Sequence, residues 1–271
     1  MDDLGYSVEL KPLRIYVASA FRLLAVLCPI SISAAAQMAN SAEGTAGGYS
    51  GVYLQVPGTY LTPIPNAPFS ATEHLVTHQK TADGKDHVLQ TTTHIARTSS
   101  GMTYAERRRL LPAGSTQEPG LIEGQIYDPA TQRSTFYDPI THIARQSTLA
   151  RPRPLSAGPT SPRLHPGPNL VETDLGTQDL EGLQLHGLRR VRIIAASASG
   201  TEAQVTITDD YWYSPVLAMY VIIRHEDSRS GEQLIALSGI DRIEPDSTRF
   251  RVPDSYKIVD ETPLPTEVVQ R

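Results

Sequence analysis

The chain has 271 residues, of which 24 are basic and 29 are acidic, so its formal net charge is −5. Because no basic surplus exists to neutralise phosphates, we expect no nucleic-acid partner. The length suits one large domain or two small ones. Hydrophobic residues (39%) and charged residues (20%) are both sparse. The remaining Thr, Ser, Gly and Pro are typical of strands joined by many turns, and also of linkers.

The first 36 residues have the pattern of a cleavable export signal. Basic residues precede a short apolar core at 23–32, and small residues at 33–36 offer an Ala-x-Ala cleavage site before Gln37. The alternative is a membrane anchor, but Arg22 and Pro29 interrupt the apolar stretch. We therefore predict a signal peptide at 1–36, a periplasmic or extracellular protein, and no stable transmembrane span after cleavage.

The sequence contains a single cysteine, Cys28, which lies inside the predicted signal peptide. Leu27 precedes it, whereas a lipidation signal would place a small residue there. After cleavage the mature chain therefore has no disulfide, no thiol nucleophile and no thiolate metal site.

The leader and the first strands follow in chain order. Residues 37–68 are rich in Gly, Ser, Ala and Pro, which predicts a flexible leader. Strands are predicted at 71–79 and 88–95, where the Asp83-Gly84 pair between them is a hairpin signal. Residues 102–111 fit a short helix and a basic strand edge equally well.

A short repeat marks the middle of the chain. The pattern Tyr-Asp-Pro-x-Thr begins at Tyr127 and again at Tyr137. Asp followed by Pro favours a tight turn, since the carboxylate accepts from downstream amides and Pro fixes φ. Two such turns predict a meander with strands near 121–127, 132–137 and 142–148.

The last part of the chain consists of a linker and a series of strands. Residues 151–169 contain six prolines and are predicted to be a linker or a long surface loop. Strands follow at 177–180, 183–194, 205–213, 217–224 and 234–243, and Glu181-Gly182 turns the first hairpin. The predicted organisation is a single β domain at 69–262, interrupted by the linker, and a disordered tail at 263–271.

The C-terminal third resembles a group of exported bacterial proteins of unknown function. The resemblance is carried by Leu-Gly-Thr-Gln at 175–178, Glu181-Gly182, Tyr-Trp-Tyr-Ser-Pro at 211–215, and Glu-Pro-Asp at 244–246 with Phe250, Val252, Pro253 and Tyr256. These motifs are similar to the ending of the periplasmic lipoprotein carriers (LolA/LolB-like) and lipoprotein-sorting domains. The resemblance covers 69–259 apart from the proline-rich insert.

That resemblance implies the fold class: mainly β, with a curved antiparallel sheet forming an incomplete barrel and few short helices. Common strand lengths give about eight to eleven strands. In the carriers, helices plug an apolar concavity, and one of them precedes the first strand. Here 57–68 is proline-rich instead, so the chain departs from the family at this point.

Sites for catalysis or metal binding are not indicated by any motif. His74 and His78 lie on one face of a predicted strand but about 13 Å apart, too far for one ion. The other histidines lack ligand spacing, and no Gly-x-Ser-x-Gly elbow occurs. Asp209-Asp210 fits a cation site or, as we prefer, one inward and one solvated carboxylate. We therefore expect no catalytic residue, no cofactor and no metal.

The candidate ligand-binding residues are Tyr211, Trp212 and Tyr213, which give both faces of one strand an aromatic side chain. They fit the lining of an apolar groove, or ordinary core packing. Basic runs at 107–109 and 189–192 fit contacts to lipid headgroups, or solvated strand faces.

The function expected from these features is that of an exported, non-enzymatic envelope protein that binds an apolar or amphipathic ligand on a concave sheet. The expected partners are a lipid or lipoprotein ligand and an envelope protein. The alternative is a structural or interaction module of the envelope that pairs through an exposed strand edge. An unrecognised hydrolase is the third class.

Overall fold

A computed structural model describes residues 54–56, 59–80, 85–149, 169–200 and 202–262. The strands are β1 Leu54–Val56, β2 Thr59–Leu61, β3 Phe69–Lys80, β4 Asp86–Arg97, β5 Thr103–Arg108, β6 Leu111–Pro112, β7 Leu121–Asp128, β8 Arg133–Asp138, β9 Ile143–Thr148, β10 Leu170–Leu180, β11 Leu183–Ile194, β12 Val205–Ser214, β13 Met219–Asp227, β14 Gly231–Asp241 and β15 Lys257–Asp260. Two single-turn helices are described, α1 Ala196–Ser199 and a 3-10 helix Ser247–Phe250. Among the described residues, neither helix has the length or apolar character needed to cross a bilayer.

Within the described ranges, thirteen strands form one sheet in the order β10-β11-β12-β13-β14-β3-β4-β5-β7-β8-β9-β15, with β6 paired to β4. Every pairing is antiparallel except that of β15 with β9, which is parallel. The sheet is not closed into a barrel. The predicted fold class is confirmed, while the predicted number of strands is too small, since short strands such as β6 and β15 carry no separate sequence signal.

Local turn chemistry explains the hairpins that the sequence predicts. Asp128 Oδ1 accepts from the Ala130 amide at 2.9 Å, and Asp138 Oδ1 accepts from the Ile140 amide at 2.7 Å. The hydrogen bond from the Ile140 amide lowers the pKa of the Asp138 carboxyl. Glu181 and Gly182 have φ values of 47° and 77°, as a two-residue turn with positive φ requires.

Residues 103–108 form strand β5 between β4 and β7, so the helix alternative for 102–111 is wrong. Tyr104 and Ala105 point to opposite faces of the sheet, and both are buried. A strand covered on both faces loses the alternation of polar and apolar residues that would have identified it.

We call the face that carries Phe69, Ala71, Glu73 and Leu75 of β3 the inner face. The same face of β4 carries Ile95 and Arg97, which pair with Ala71 and Phe69. Leu61 of β2, 0% exposed, packs here against a buried apolar cluster. The inner face is therefore covered by the β1–β2 hairpin.

The opposite, outer face is covered over β5, β7, β8 and β9 by the C-terminal segment. The rings of Phe250 and Tyr104 pack edge to face with their centroids 6.3 Å apart, and those of Tyr256 and Tyr137 do so at 5.3 Å. The Tyr137 ring lies over Gly124, where an added Cβ would be 2.0 Å from its Cζ. The sequence motif that closes the domain therefore packs as a lid on the outer face.

The end of the predicted flexible leader is ordered in the structure. Residues 59–68 contain β2 and an extended segment in which Thr59, Leu61 and Thr62 are buried. The β1–β2 hairpin is a separate two-stranded sheet that lies against β13 and β5. Prolines in this segment do not prevent burial, because its contacts to the main sheet are made by side chains and by Arg97 rather than by a strand ladder.

Several predictions fall on residues outside the described ranges. They are the signal peptide with Cys28, most of the leader, the Asp83-Gly84 turn, the proline-rich insert up to residue 168, and the tail at 263–271. The two strands that flank the Asp83-Gly84 turn pair over their full length, from Phe69 with Arg97 to Lys80 with Asp86.

Candidate functional site

The three predicted aromatic residues are not brought together. Tyr211 shares the inner face with Leu75, because the register runs from Leu75 through Ile235 and Ile223 to Tyr211. The rings of Tyr211 and Tyr213 both pack against that of Tyr220, with centroid distances of 5.3 and 5.5 Å. The result is a cluster of three tyrosines.

Trp212 lies on the other side of β12, as alternation along the strand requires. It pairs with Gly187 of β11, where an added Cβ would be 2.7 Å from the Trp212 ring. Trp212 is partly buried and packs against the same apolar cluster that contains Leu61, Leu183 and Leu185. Its position is that of a core residue.

Asp209 and Asp210 each have a basic partner. Asp209 Oδ1 is 2.6 Å from His225 Nδ1, and Asp210 accepts two hydrogen bonds from Arg189 at 2.6 and 2.7 Å. Both carboxylates are buried, so the prediction of one solvated carboxylate is wrong. Arg190, the neighbour in the basic run, binds Glu172 at 2.7 Å. These charges compensate one another within the sheet.

A metal centre is not indicated by the described residues, which contain no group of three or more His, Cys, Asp or Glu side chains placed to hold an ion. His74 instead pairs its Nε2 with Ser238 Oγ at 2.6 Å, and burial lowers the pKa of its ring.

The feature that sequence reasoning missed is Glu73, a carboxyl on the inner face that is 1% exposed. Its cross-strand neighbours are Leu237 of β14 and Thr93 of β4. Within the described ranges neither carboxylate oxygen makes a hydrogen bond, and the same holds for the buried hydroxyls of Thr91, Thr93 and Thr103. All of these atoms belong to inner-face residues, as the pairing of Leu75 with Thr91 and of Arg97 with Thr103 shows.

Burial raises the pKa of Glu73 to about 7. The Thr59 hydroxyl on β2 opposes this rise in the pKa of Glu73. It does not, however, make a hydrogen bond of normal geometry with the carboxylate. Burying a carboxylate without a partner is costly, so such groups are rare in cores and common at functional sites. We call Glu73, Thr91, Thr93 and Thr59 the polar chamber.

Arg97 is the buried base on the same face, and it is fully engaged. Its guanidinium donates to the carbonyls of Thr62, Ala67 and Leu217 at 2.8–2.9 Å and to Thr62 Oγ1 at 3.3 Å. Burial lowers its pKa to about 10. Arg97 lies four residues beyond Thr93 along β4, about 13 Å at the rise of a strand, so it does not neutralise Glu73.

The position of Glu73 in the sequence already indicates that its carboxyl is unusual. Ala71, Glu73 and Leu75 share one face of β3 by strand alternation, so a charged residue stands at a core position. The predicted hairpin also places Thr93 and Thr91 beside it once the register is fixed. What the sequence could not supply is the hairpin that buries the carboxyl.

Among the comparisons with known proteins, matches come from solved structures. No family model matches the chain, and no curated protein matches it. An uncharacterized conserved protein from Thermus thermophilus has 10% identity and a TM-score of 0.35, covering 72% of this chain and 91% of its own. A LolA superfamily protein from Nitrosomonas europaea has 12% identity and a TM-score of 0.25, covering 69% and 91%.

The lipoprotein LppX from Mycobacterium tuberculosis has 11% identity and a TM-score of 0.26, covering 79% of this chain and 98% of its own. These matches include a LolA superfamily protein and a lipoprotein, which belong to the kind of protein that the sequence resembles. At such identities the likeness is one of fold alone.

Proposed function

We propose that this is an exported, non-enzymatic protein that binds an amphipathic ligand on the inner face of its sheet, beneath the β1–β2 hairpin. The observation that carries the proposal is Glu73, whose two carboxylate oxygens have no hydrogen bond with any described residue although the side chain is buried. A ligand whose polar end reaches this carboxyl would satisfy it.

The surroundings of the polar chamber suit the apolar part of such a ligand. Ala71 and Leu75 flank Glu73 along β3, Leu237 and Ile235 lie on β14, and Ile95 lies on β4. All five are buried. A few polar groups in a mostly apolar lining is the composition of small-molecule sites in general.

The hairpin that covers this face is a weakly anchored element. It forms its own sheet of two three-residue strands, without a ladder to the main sheet. Isolated two-stranded hairpins are marginally stable, and elements of low local stability are those that open for ligands. We propose that the ligand enters by displacing β1–β2.

The tyrosine cluster extends the same surface. Tyr211 lies three strands away from Glu73 in the β3-β14-β13-β12 order, about 14 Å at the usual strand spacing. In this proposal Tyr211 and Tyr213 line the far end of the ligand site. Trp212 is not a member of the tyrosine cluster.

Binding is proposed rather than catalysis because of what surrounds Glu73. Its nearest polar groups are threonine hydroxyls, and the carboxyl is sealed from water. An acid–base catalyst needs access to the proton that it transfers. The arrangement fits holding a polar group in place.

The test uses the full chain in a Cys28→Ser background, with Thr59→Cys as a reporter on β2. After delipidation, we expect Nile red to bind and dodecan-1-ol to displace it. Dodecan-1-ol should also raise the rate at which the buried thiol introduced on β2 reacts with a disulfide reagent.

The control places the cysteine at Thr72, on the outer face of β3, where dodecan-1-ol should not change the rate of thiol reaction. A protein that binds neither the dye nor the alcohol, with the thiol on β2 equally protected throughout, would contradict the proposed function.

A further inference from the structure

We propose that the polar chamber accepts a primary ammonium group at the end of a hydrocarbon chain, so that the ligand is a cationic amphiphile. This inference rests on the proposed function and specifies the chemical class of the ligand. It follows from the charges and hydrogen-bonding groups on the inner face, taken in turn.

Glu73 has no ion pair among the described residues, and no charged group in the described part of the chain is among the causes of its pKa. The elements packed against it present Thr91 and Thr93 from β4, Leu237 from β14 and Thr59 from β2. Arg97 is the buried cation of this face, and its donors are bound to carbonyl groups. The chamber therefore has one uncompensated negative charge when Glu73 is ionised.

The polar chamber also contains hydrogen-bond acceptors without a donor. The unpartnered atoms are two carboxylate oxygens and the hydroxyls of Thr91 and Thr93. Thr93 is directly opposite Glu73 and Thr91 is diagonal to it, which puts their Cβ atoms about 5 and 7 Å from that of Glu73. A primary ammonium has three donors and no acceptor. It can donate to one carboxylate oxygen and to both hydroxyl oxygens at once.

Other head groups fit the polar chamber less well than a primary ammonium. A carboxylate head brings no donor and places a like charge beside Glu73, so it is disfavoured when Glu73 is ionised. An alcohol head has one donor and no charge, so it satisfies one acceptor only. Hydrogen bonds that involve charged groups are worth more than neutral ones. The expected order of affinity is therefore ammonium, then alcohol, then carboxylate.

The experiment is displacement of Nile red from the delipidated full chain at pH 8 by dodecylammonium, dodecan-1-ol and dodecanoate. We expect dodecylammonium to bind about ten- to a hundredfold more tightly than dodecan-1-ol, and dodecanoate to bind most weakly. Ethylammonium chloride, which has the same head without the chain, should not displace the dye at millimolar concentration.

Two substitutions locate the effect. Glu73→Gln should weaken dodecylammonium much more than dodecan-1-ol, so that the preference for the ammonium over the alcohol is lost. Thr93→Val, which removes one acceptor with little change of shape, should weaken dodecylammonium severalfold. Thr92→Val, the same change on the outer face of β4, is the matched control and should have no effect.

The outcomes separate the two proposals. Equal affinities for the three C12 probes would overturn the ammonium inference and leave the proposed function standing. A preference for dodecylammonium that survives Glu73→Gln would also overturn it, because the charge would then be recognised elsewhere. Displacement by ethylammonium alone would overturn it as well, because the chamber would then be a site for small cations. Failure of every probe to bind would contradict the proposed function itself.

Discussion

Glu73 and Arg97 are both buried on the inner face of the sheet, but they differ in whether the charged group has partners. Arg97 has carbonyl acceptors around its guanidinium and a cation–π contact with Phe69 at 5.0 Å. Glu73 has no such compensation within the described ranges. The arginine therefore ties elements together, whereas the glutamate is held at a cost to stability that the fold must offset elsewhere.

That cost is predicted to depend on pH. The ordinary pKa of Glu is 4.5, and burial raises the pKa of Glu73 to about 7 in the folded protein. Below pH 4.5 the carboxyl is protonated in both states and contributes nothing. Between pH 4.5 and pH 7 the carboxyl loses its proton in the unfolded state before it does so in the folded state, so the free energy of unfolding falls. Above pH 7 this decrease levels off at about 3 kcal/mol.

Gln is neutral at every pH, so the free energy of unfolding of Glu73→Gln should not show this decrease. The difference in that free energy, variant minus wild type, should therefore be about 3 kcal/mol larger at pH 8 than at pH 4. Urea unfolding of both proteins at pH 4, 6 and 8 measures this difference. Glu202→Gln, an exposed counterpart, should show no such trend. A Glu73→Gln effect that is constant across the pH range would contradict the assignment of Glu73 as a buried, unpaired carboxyl.

Residues that act through local geometry were predictable from the sequence, and residues that act through tertiary contacts were not. The turn roles of Asp128 and Asp138 depend on amides two residues away, so the motif was sufficient. The partners of Asp209 and Asp210 lie on β13 and β11, and finding them requires the strand register. Glu73 required in addition the hairpin that covers it.

At the scale of elements, Arg97 joins the segment that follows the β1–β2 hairpin to the main sheet. This side chain links the segment after β2 to the turn between β12 and β13, where Thr62 Oγ1 also donates to the Ala218 carbonyl at 2.9 Å. The hairpin is thus held at the end near Thr62. Its other end lies over Glu73.

Arg97→Lys should loosen the hairpin selectively. Lysine keeps the positive charge but cannot reproduce the planar set of donors that reaches three carbonyls. We expect amide hydrogen exchange of residues 59–62 to accelerate at least about tenfold, with exchange in β3 and β4 unchanged.

Arg107→Lys on the neighbouring strand β5, whose side chain is 47% exposed, is the control and should leave the hairpin unaffected. Uniform acceleration across the sheet in Arg97→Lys would mean that Arg97 stabilises the whole domain rather than the hairpin.

The edge strand β10 bears on the alternative function, that of a module that pairs through a strand edge. β10 is long and exposed, but a bulge between Asp174 and Gly176 interrupts its register. Glu172, Asp174 and Asp179 place negative charge along it. Bulges and charges are the means by which proteins block edge pairing, so this edge does not favour the alternative.

Across the whole molecule, the sheet changes direction at irregularities that a sequence pattern does not mark. β14 leaves its register with β3 between Ser238 and Asp241, and the freed amides of Gly239 and Ile240 donate to the Glu181 carboxylate at 3.1 and 2.6 Å. The turn between β10 and β11 is thereby joined to β14, three strands further along the sheet. The periodicity of apolar residues was sufficient to predict the strands. The way the strands bend depends on long-range hydrogen bonds such as those of Glu181.

The central claim concerns the molecule as a whole: that its inner face holds an amphipathic ligand in the cell. The measurement that tests this most directly is native mass spectrometry of the protein isolated from the envelope fraction of the cells that make it. We predict an adduct of lipid mass that detergent removes and that Glu73→Gln diminishes, with an intact mass that starts at Gln37. A protein of bare mass before any detergent treatment would contradict the claim.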